Sequence, residues 1–501
     1  MTRTRRFLRL CLVVAGFAIV AGVGGVWLYR SELAARTAIA ILEQRGFGPV
    51  ELTIHHVGLH SARASGLSLY GGAVRASSLV LTFDPGDLYV GHARTMEIEG
   101  LRTTVDVKDG TANVGGRPLP ASTAPGSAPG SPAIPISTIT LRDIDISATF
   151  PALAQPVRIT GSGRLVDTTL SFELVASMQA DRGSVLEVLA AGKHDIERKA
   201  GAASVTMRTA KFHANSKQPK DLFPALAGIL PRLDGAIRAA GLLSWTADKV
   251  VPDLAVHVED IAFETPQAKV SGLHADLHVT SLTPLATTGR QTLAATVQPG
   301  GLPAAALSLQ FEFKGKPAVH VEALAYDFAG GRITASPFTI DPAHPDFTTR
   351  LHFAGVELEQ AFRLLNVDGV AGAGRIEGDV ALQMRGGKIS IDDSRLAASG
   401  PGELDINNSW LLERVGSADP RVRDALQTLG DFHYEVLTID FDRGEGGTGS
   451  LLLRLQGQNP TASALKGQKI NFNIRLESNF DRLTELALQG VETVHELLRQ
   501  R

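Results

Sequence analysis

From Gly48 onward, apolar and polar residues alternate with a period of two along most of the chain. Leu273, Ala275, Leu277 and Val279 take one side of such a run, and His274, Asp276 and His278 take the other. Leu307, Leu309, Phe311 and Phe313 alternate with Ser308, Gln310 and Glu312, and Ile470, Phe472, Ile474 and Leu476 with Asn471, Asn473 and Arg475. Leu79, Leu81 and Phe83 do the same before the turn Asp84-Pro85-Gly86. Successive side chains point to opposite faces only in a strand, and one apolar face opposite one polar face is the signature of an antiparallel sheet. Gly-Gly pairs at 71–72, 330–331 and 386–387 suit hairpin turns between such strands. The expectation is a mainly β molecule, an elongated and twisted antiparallel sheet interrupted by few short helices.

The exception to this pattern comes first in the chain. Arg3, Arg5, Arg6 and Arg9 precede an uncharged run from Leu10 to Tyr29. At about 1.5 Å per residue this run reaches roughly 30 Å, the thickness of a bilayer core. It is too long for a signal-peptide core and lacks a cleavage site near its end, so it reads as a single transmembrane anchor. The heavier positive charge on its N-terminal side keeps that end cytoplasmic and sends the bulk of the chain across the membrane, into the periplasm of a Gram-negative envelope. Ser31 to Arg45 reads as the same helix continuing into water, ended by Gly46 and Gly48.

The chain divides on sequence into residues 1–45 (cytoplasmic N-terminus, anchor and helical extension), 46–114 (a small β segment), 115–135 (a Pro/Gly/Ser-rich linker), 136–350 (a central β region) and 351–501 (a C-terminal β region). The linker is aperiodic and rich in proline, as flexible or extended segments are. Short helices are expected at Asp221–Leu230, Leu358–Leu365 and Pro420–Leu429, and a last one at Asp481–Arg499.

Catalytic chemistry is not visible. The net charge of −3 gives no basic surface for nucleic acid. Cys11 is the single cysteine, which removes internal disulfides and cysteine zinc sites. His274 and His278 sit at a helical metal spacing, but on a strand they are about 13 Å apart and cannot share an ion. His55 and His56 point to opposite faces. Gly372-Ala-Gly374-Arg375 has its third glycine, Gly378, one position late for a dinucleotide loop, and no helix follows, so these read as turn glycines. There is no GxSxG elbow, P-loop, HExxH or calcium loop. The chain reads as a non-enzyme without cofactor or metal.

A specific likeness lies in the C-terminal third. It comprises Gly369-Val-Ala-Gly-Ala-Gly-Arg-Ile-Glu-Gly378, Gly386-Gly-Lys-Ile-Ser-Ile-Asp-Asp-Ser-Arg-Leu-Ala-Ala-Ser-Gly400-Pro-Gly402, Asp431-Phe-His-Tyr-Glu-Val-Leu437, Leu451-Leu-Leu-Arg-Leu-Gln-Gly-Gln-Asn-Pro460 and Gly467-Gln-Lys-Ile-Asn-Phe-Asn-Ile-Arg-Leu-Glu-Ser-Asn479. In this order, over about 350–490, they resemble the YdbH family of AsmA-like envelope proteins. The resemblance implies a long U-shaped β groove, an inner-membrane anchor, phospholipid movement between inner and outer membranes, and a small outer-membrane lipoprotein partner, YnbE. One span cannot build the inverted repeats of a solute carrier, so the family's alternative dicarboxylate-transport label is discounted.

Once helices and linker are set aside, roughly 25–30 strands fit. Leu273, Leu277, Leu307, Leu309, Phe311, Phe313, Phe472 and Ile474 are the candidates for contact with lipid tails. Alternation also describes a sandwich whose apolar side is simply core. The competing function is an envelope assembly or interaction scaffold serving outer-membrane protein biogenesis, acting through an exposed sheet end.

Overall fold

The computed structural model describes residues 30–479 except 90–91, 109–110, 119–135, 181–182, 214–217, 225–231, 266–267, 283, 300–302, 316–317, 342–345, 365–368, 387, 407–427, 445 and 462–466. The run Leu10–Tyr29, the helix expected over Asp481–Arg499 and most of that over Pro420–Leu429 lie outside the described residues. Strands dominate: 29 are described. By contacts the chain forms two units, the first made mainly of residues up to 210 and the second mainly of those from 252 onward.

The first unit opens on helix α1 (residues 30–42), which continues as a wider turn over Glu43–Phe47. Gly46 takes φ 89° and Gly48 is extended, so the helix stops at the two glycines as the sequence predicts. Strands β1 (Glu51–Val57), β2 (Ser61–Leu69), β3 (Val74–Thr82) and, after the short helix α2 (Pro85–Tyr89), β4 (Ala93–Glu99) follow, each antiparallel to the one before. Strand β5 (Arg102–Lys108) prolongs β4, with β3 pairing to both. Strands β6 (Thr111–Val114) and β7 (Arg117–Pro118) fold back on β5. Gly115 and Gly116, at φ 58° and 75°, make the turn between them. The first residues of the expected linker are thus part of a hairpin, and residues 119–135 are outside the described ones.

Strand β8 (Ile136–Thr149) then pairs with β4 and β5 in parallel. This departs from the purely antiparallel expectation. The chain leaves β5 through a side hairpin and a stretch far longer than a tight turn, so it can re-enter in the same direction. From there β9 (Val157–Val166), β10 (Thr169–Ala180), β11 (Gly183–Asp195) and β12 (Ala200–Phe212) return to antiparallel neighbours. Helix α3 (Pro219–Leu222) begins before Asp221, with proline in its first turn, and most of the helix expected over Asp221–Leu230 lies outside the described residues. Strand β13 (Asp234–Trp245) follows.

The second unit is a longer meander. Strands β14 (Val250–Glu264), β15 (Ala268–Leu282), β16 (Leu285–Thr287), β17 (Gln291–Pro299), β18 (Ala305–Phe313) and β19 (Val319–Phe328) lie in order, β15 pairing with both β16 and β17. Strands β20 (Gly331–Ala335) and β21 (Phe338–Ile340) together face β19. Strand β22 (Phe347–Glu357) pairs with β20 and leads into α4 (Leu358–Leu364), a helix within one residue of the predicted bounds. Then come β23 (Val370–Ala373), β24 (Arg375–Arg385), β25 (Lys388–Ala398), β26 (Gly402–Ile406), β27 (Phe432–Arg443), β28 (Thr448–Gln458) and β29 (Ile470–Asn479). Strand β24 pairs with β22 and β25, β23 with β26, and β27 with β25, β26 and β28, while β29 closes on β28.

A closed core occupies one region of this unit. Leu358 and Ala361 of α4 join Val356, Ile376, Leu404, Leu429, Phe432, Tyr434, Leu437 and Leu455 in a buried cluster. Gly374 and Gly402 are strand-break glycines beneath Tyr434, whose hydroxyl donates to the Ala373 carbonyl at 2.9 Å. A Cβ at Gly374 would lie 2.1 Å from that hydroxyl oxygen. Gly374 of the Gly372–Arg375 motif thus serves the close approach of a tyrosine rather than the turn read from sequence.

Candidate functional site

Cross-strand register decides which residues share a face, because directly paired residues point the same way. In the first unit one file of paired residues runs Ile54, Ala64, Leu79, Ile98, Leu141, Gly163, Phe172, Gly192, Ala203. In the second, a file runs Ala295, Leu307, Tyr326, Ile333, Phe353, Gly378, Leu396, Ile439, Leu453, Ile474. Beside it lies Val258, Ala275, Leu293, Leu309, Leu324, Ala335, Leu351, Val380. Each position carries an apolar or aromatic side chain or is glycine. At about 4.8 Å per strand, the first file extends about 38 Å and the longest about 43 Å across the strands.

All eight sequence candidates fall on the apolar face of the second unit. Leu273 pairs with Ile261 and Leu277 with Val256. Leu307 and Leu309 stand in the two files just named. Phe311 pairs with Val321 and Phe313 with Val319, and the two rings meet edge to face at 5.5 Å. Phe472 pairs with Leu455 and Ile474 with Leu453. Seven of the eight are half-buried; Phe311 alone is only 6% exposed. Half-burial is a sheet face still in touch with solvent, unlike the covered interior of a sandwich. Phe472 and Ile474 differ in their surroundings, because both pack against the closed core, Phe472 with its ring 5.5 Å from that of Phe432.

Sequence reading missed several residues of this face. Leu324 and Tyr326 belong to it, but a bulge in the pairing of β18 with β19 breaks their alternation with Val319 and Val321. Gly163 and Gly192 flank Phe172 across the strands and help form a hollow of about 540 Å³ around it. Nearby, the Trp245 indole N–H donates to Nδ1 of His194 at 3.0 Å with the rings stacked. Their signal was weak because both lie at strand ends.

The opposite face is laced with charge. His352 meets Asp379 at 3.1 Å, and Arg395 meets Asp440 at 2.8 Å. His274 and His278 each have a separate aspartate, Asp260 and Asp253, rather than a shared ion. The hydrogen bond from Arg395, against the opposing effect of burial, holds the Asp440 carboxyl below its ordinary range, with Arg454 adding to the attraction. Among the described residues no group of three or more His, Cys, Asp or Glu is placed to hold a metal. The arrangement suits sheltering hydrocarbon on one side and water on the other.

No match is found among curated proteins or among solved structures. A family model described as YdbH-like, intermembrane phospholipid transport protein YdbH, matches residues 137–501. That match covers well over half of the chain and reaches far upstream of the C-terminal motifs. By it, and in keeping with a sheet that is greasy on one face and charged on the other, the chain belongs to the YdbH-like family of intermembrane phospholipid transport proteins.

Proposed function

We propose that this chain is an inner-membrane-anchored periplasmic protein that carries phospholipids between the inner and outer membranes along the apolar face of its sheet, passively and without catalysis. The observation that carries this reading is the register: file after file of paired residues, all apolar and mostly half-buried. A diacyl phospholipid drawn into water exposes about 30 methylenes, which at about 0.8 kcal/mol each costs about 24 kcal/mol. A barrier of that height allows about one escape per day. An apolar strip removes most of it while the head stays wet, and a strip without a deep well lets the lipid slide.

In this reading Leu10–Tyr29 is the anchor, with its arginine-rich flank cytoplasmic. Among the described residues no helix is long and apolar enough to cross a membrane. At the far membrane the family resemblance supplies a small YnbE-like lipoprotein as partner.

The test places charge where tails should lie. Leu309→Asp with Leu351→Asp puts two carboxylates on one file of the face, at positions wet enough for the fold to tolerate them. The expected result is at least about tenfold less phospholipid co-purifying with the full chain, since each carboxylate must be desolvated against hydrocarbon. Undiminished lipid in a folded variant would sink the reading.

A further inference from the structure

Three neighbouring files of paired residues cross strands β8 to β12 on the apolar face of the first unit. One runs Leu141, Gly163, Phe172, Gly192, Ala203, a second Ile144, Gly161, Leu174, Ala190, Val205, and the third Ile139, Leu165, Leu170, His194, Gly201. Every position except His194 carries a hydrocarbon side chain or none. The fold explains how the imidazole is held there. Gly201 is the direct partner of His194, and the Trp245 ring from β13 fills the space above it, so that a Cβ at Gly201 would lie 2.6 Å from the indole. The indole N–H then donates to Nδ1 of His194 at 3.0 Å, with the two rings stacked at 6.0 Å and Phe172 placed 6.4 Å from the Trp245 ring.

An imidazole nitrogen that accepts a hydrogen bond carries no proton, so the proton of the His194 ring is on Nε2. That N–H has no hydrogen-bond partner among the described residues, where the one side-chain polar atom both shut from solvent and unpartnered is Asp405 Oδ1. The Nε2–H is therefore open on the apolar face. Hydrocarbon laid over it offers no acceptor and leaves the donor unpaired at a cost, whereas the carbonyl of a carboxylic ester offers one. Resting on the function proposed above, we propose that His194 donates this hydrogen bond to an acyl ester carbonyl of the phospholipid, at the junction of its tails and head, and that Trp245 is the positioning residue that fixes the donor. A single uncharged donor suits an ester rather than the phosphate, which draws cationic forks. One hydrogen bond is also weak enough to let the lipid move on, so the site is a resting point along the face.

The experiment presents the full chain with an equal mixture of dioleoylphosphatidylglycerol and its diether analogue, which keeps head and tails and lacks both carbonyls. Benzoylphenylalanine at Leu165, in the file of His194, or at Leu293, in the second unit, captures the lipid, and mass spectrometry reads the diester-to-diether ratio. The expected ratio is about five at Leu165 and about one at Leu293. His194→Phe, which keeps a flat ring, and His194→Leu, which matches the rest of the face, should each bring the Leu165 ratio to about one and leave capture at Leu293 unchanged. The ratio in the parent protein needs no variant and stands whatever their folding. Trp245→Phe should lower the Leu165 ratio about twofold and bring the second tautomer of His194 into its nitrogen NMR spectrum. A spectrum unchanged from the parent's would show that Trp245 does not set the tautomer. No capture at Leu165, an even ratio there in the parent protein, or a ratio that survives both His194 substitutions overturns the ester site, while lipid captured at Leu293 keeps the transport reading. No lipid captured at either position overturns both.

Discussion

Tyr434 shows how a single side chain can dictate the residues around it. Its ring is buried, its hydroxyl caps the Ala373 carbonyl, and the backbone passes close enough that Gly374 has no room for a Cβ. Gly374→Ala is expected to destabilise the protein by about 3 kcal/mol, through the clash and the φ of 130°. Tyr434→Phe alone should cost about 1 kcal/mol. Together they should cost at least about 1 kcal/mol less than the sum, because removing the hydroxyl removes the clash. Urea denaturation of the four proteins reads this directly, and strict additivity would refute the contact. Asp440 offers a second test. Its carboxyl titrates lower in the folded state than in the unfolded one. Its contribution is therefore full above the unfolded value of about 4 and fades as pH falls through the folded value. Asp440→Asn should lower the urea midpoint more at pH 6 than at a pH below the unfolded value of about 4. An equal deficit at both would contradict the ion pair. The glycines show where sequence alone fell short: Gly374 looked like a turn residue because nothing local announces a tyrosine sixty residues downstream.

At the level of strands and helices, two kinds of apolar position coexist on one sheet. Leu437 is 3% exposed in the core beneath α4, whereas Leu309 stands half-buried on the file leading away from it. Leu437→Ala should cost about 2–5 kcal/mol because a cavity is left behind. Leu309→Ala should cost about 1 kcal/mol, since much of its surface is already wet. Chemical denaturation checks both, and equal losses would mean that Leu309 is covered like core. The strands themselves were legible, because a period of two is written locally. Which of them face a closed core was not legible: Phe472 and Phe311 alternate in the same way, and only the packing of Phe432 and α4 separates Phe472 from its counterparts. The parallel junction at β8 was invisible for a similar reason. Pairing partners are chosen across residues 119–135, not within them.

For the molecule as a whole, the chain's membership in the YdbH-like family stands beside the paired apolar files, and the transport reading proposed above joins the two. Replacing Leu10–Tyr29 with a cleavable signal should release the remainder as a periplasmic protein that still binds lipid but no longer restores transport. Membrane fractionation with a transport assay decides this, and full transport by the released form would show that tethering is dispensable. The meander of the second unit has one more implication. Strands there bond chiefly to close sequence neighbours, so adding or removing a hairpin preserves which side of every other strand faces inward. Each such pair changes the reach of the sheet by about 10 Å. A protein built this way can be fitted to envelopes of different depth by duplication or loss of whole hairpins, with no need to redesign what remains.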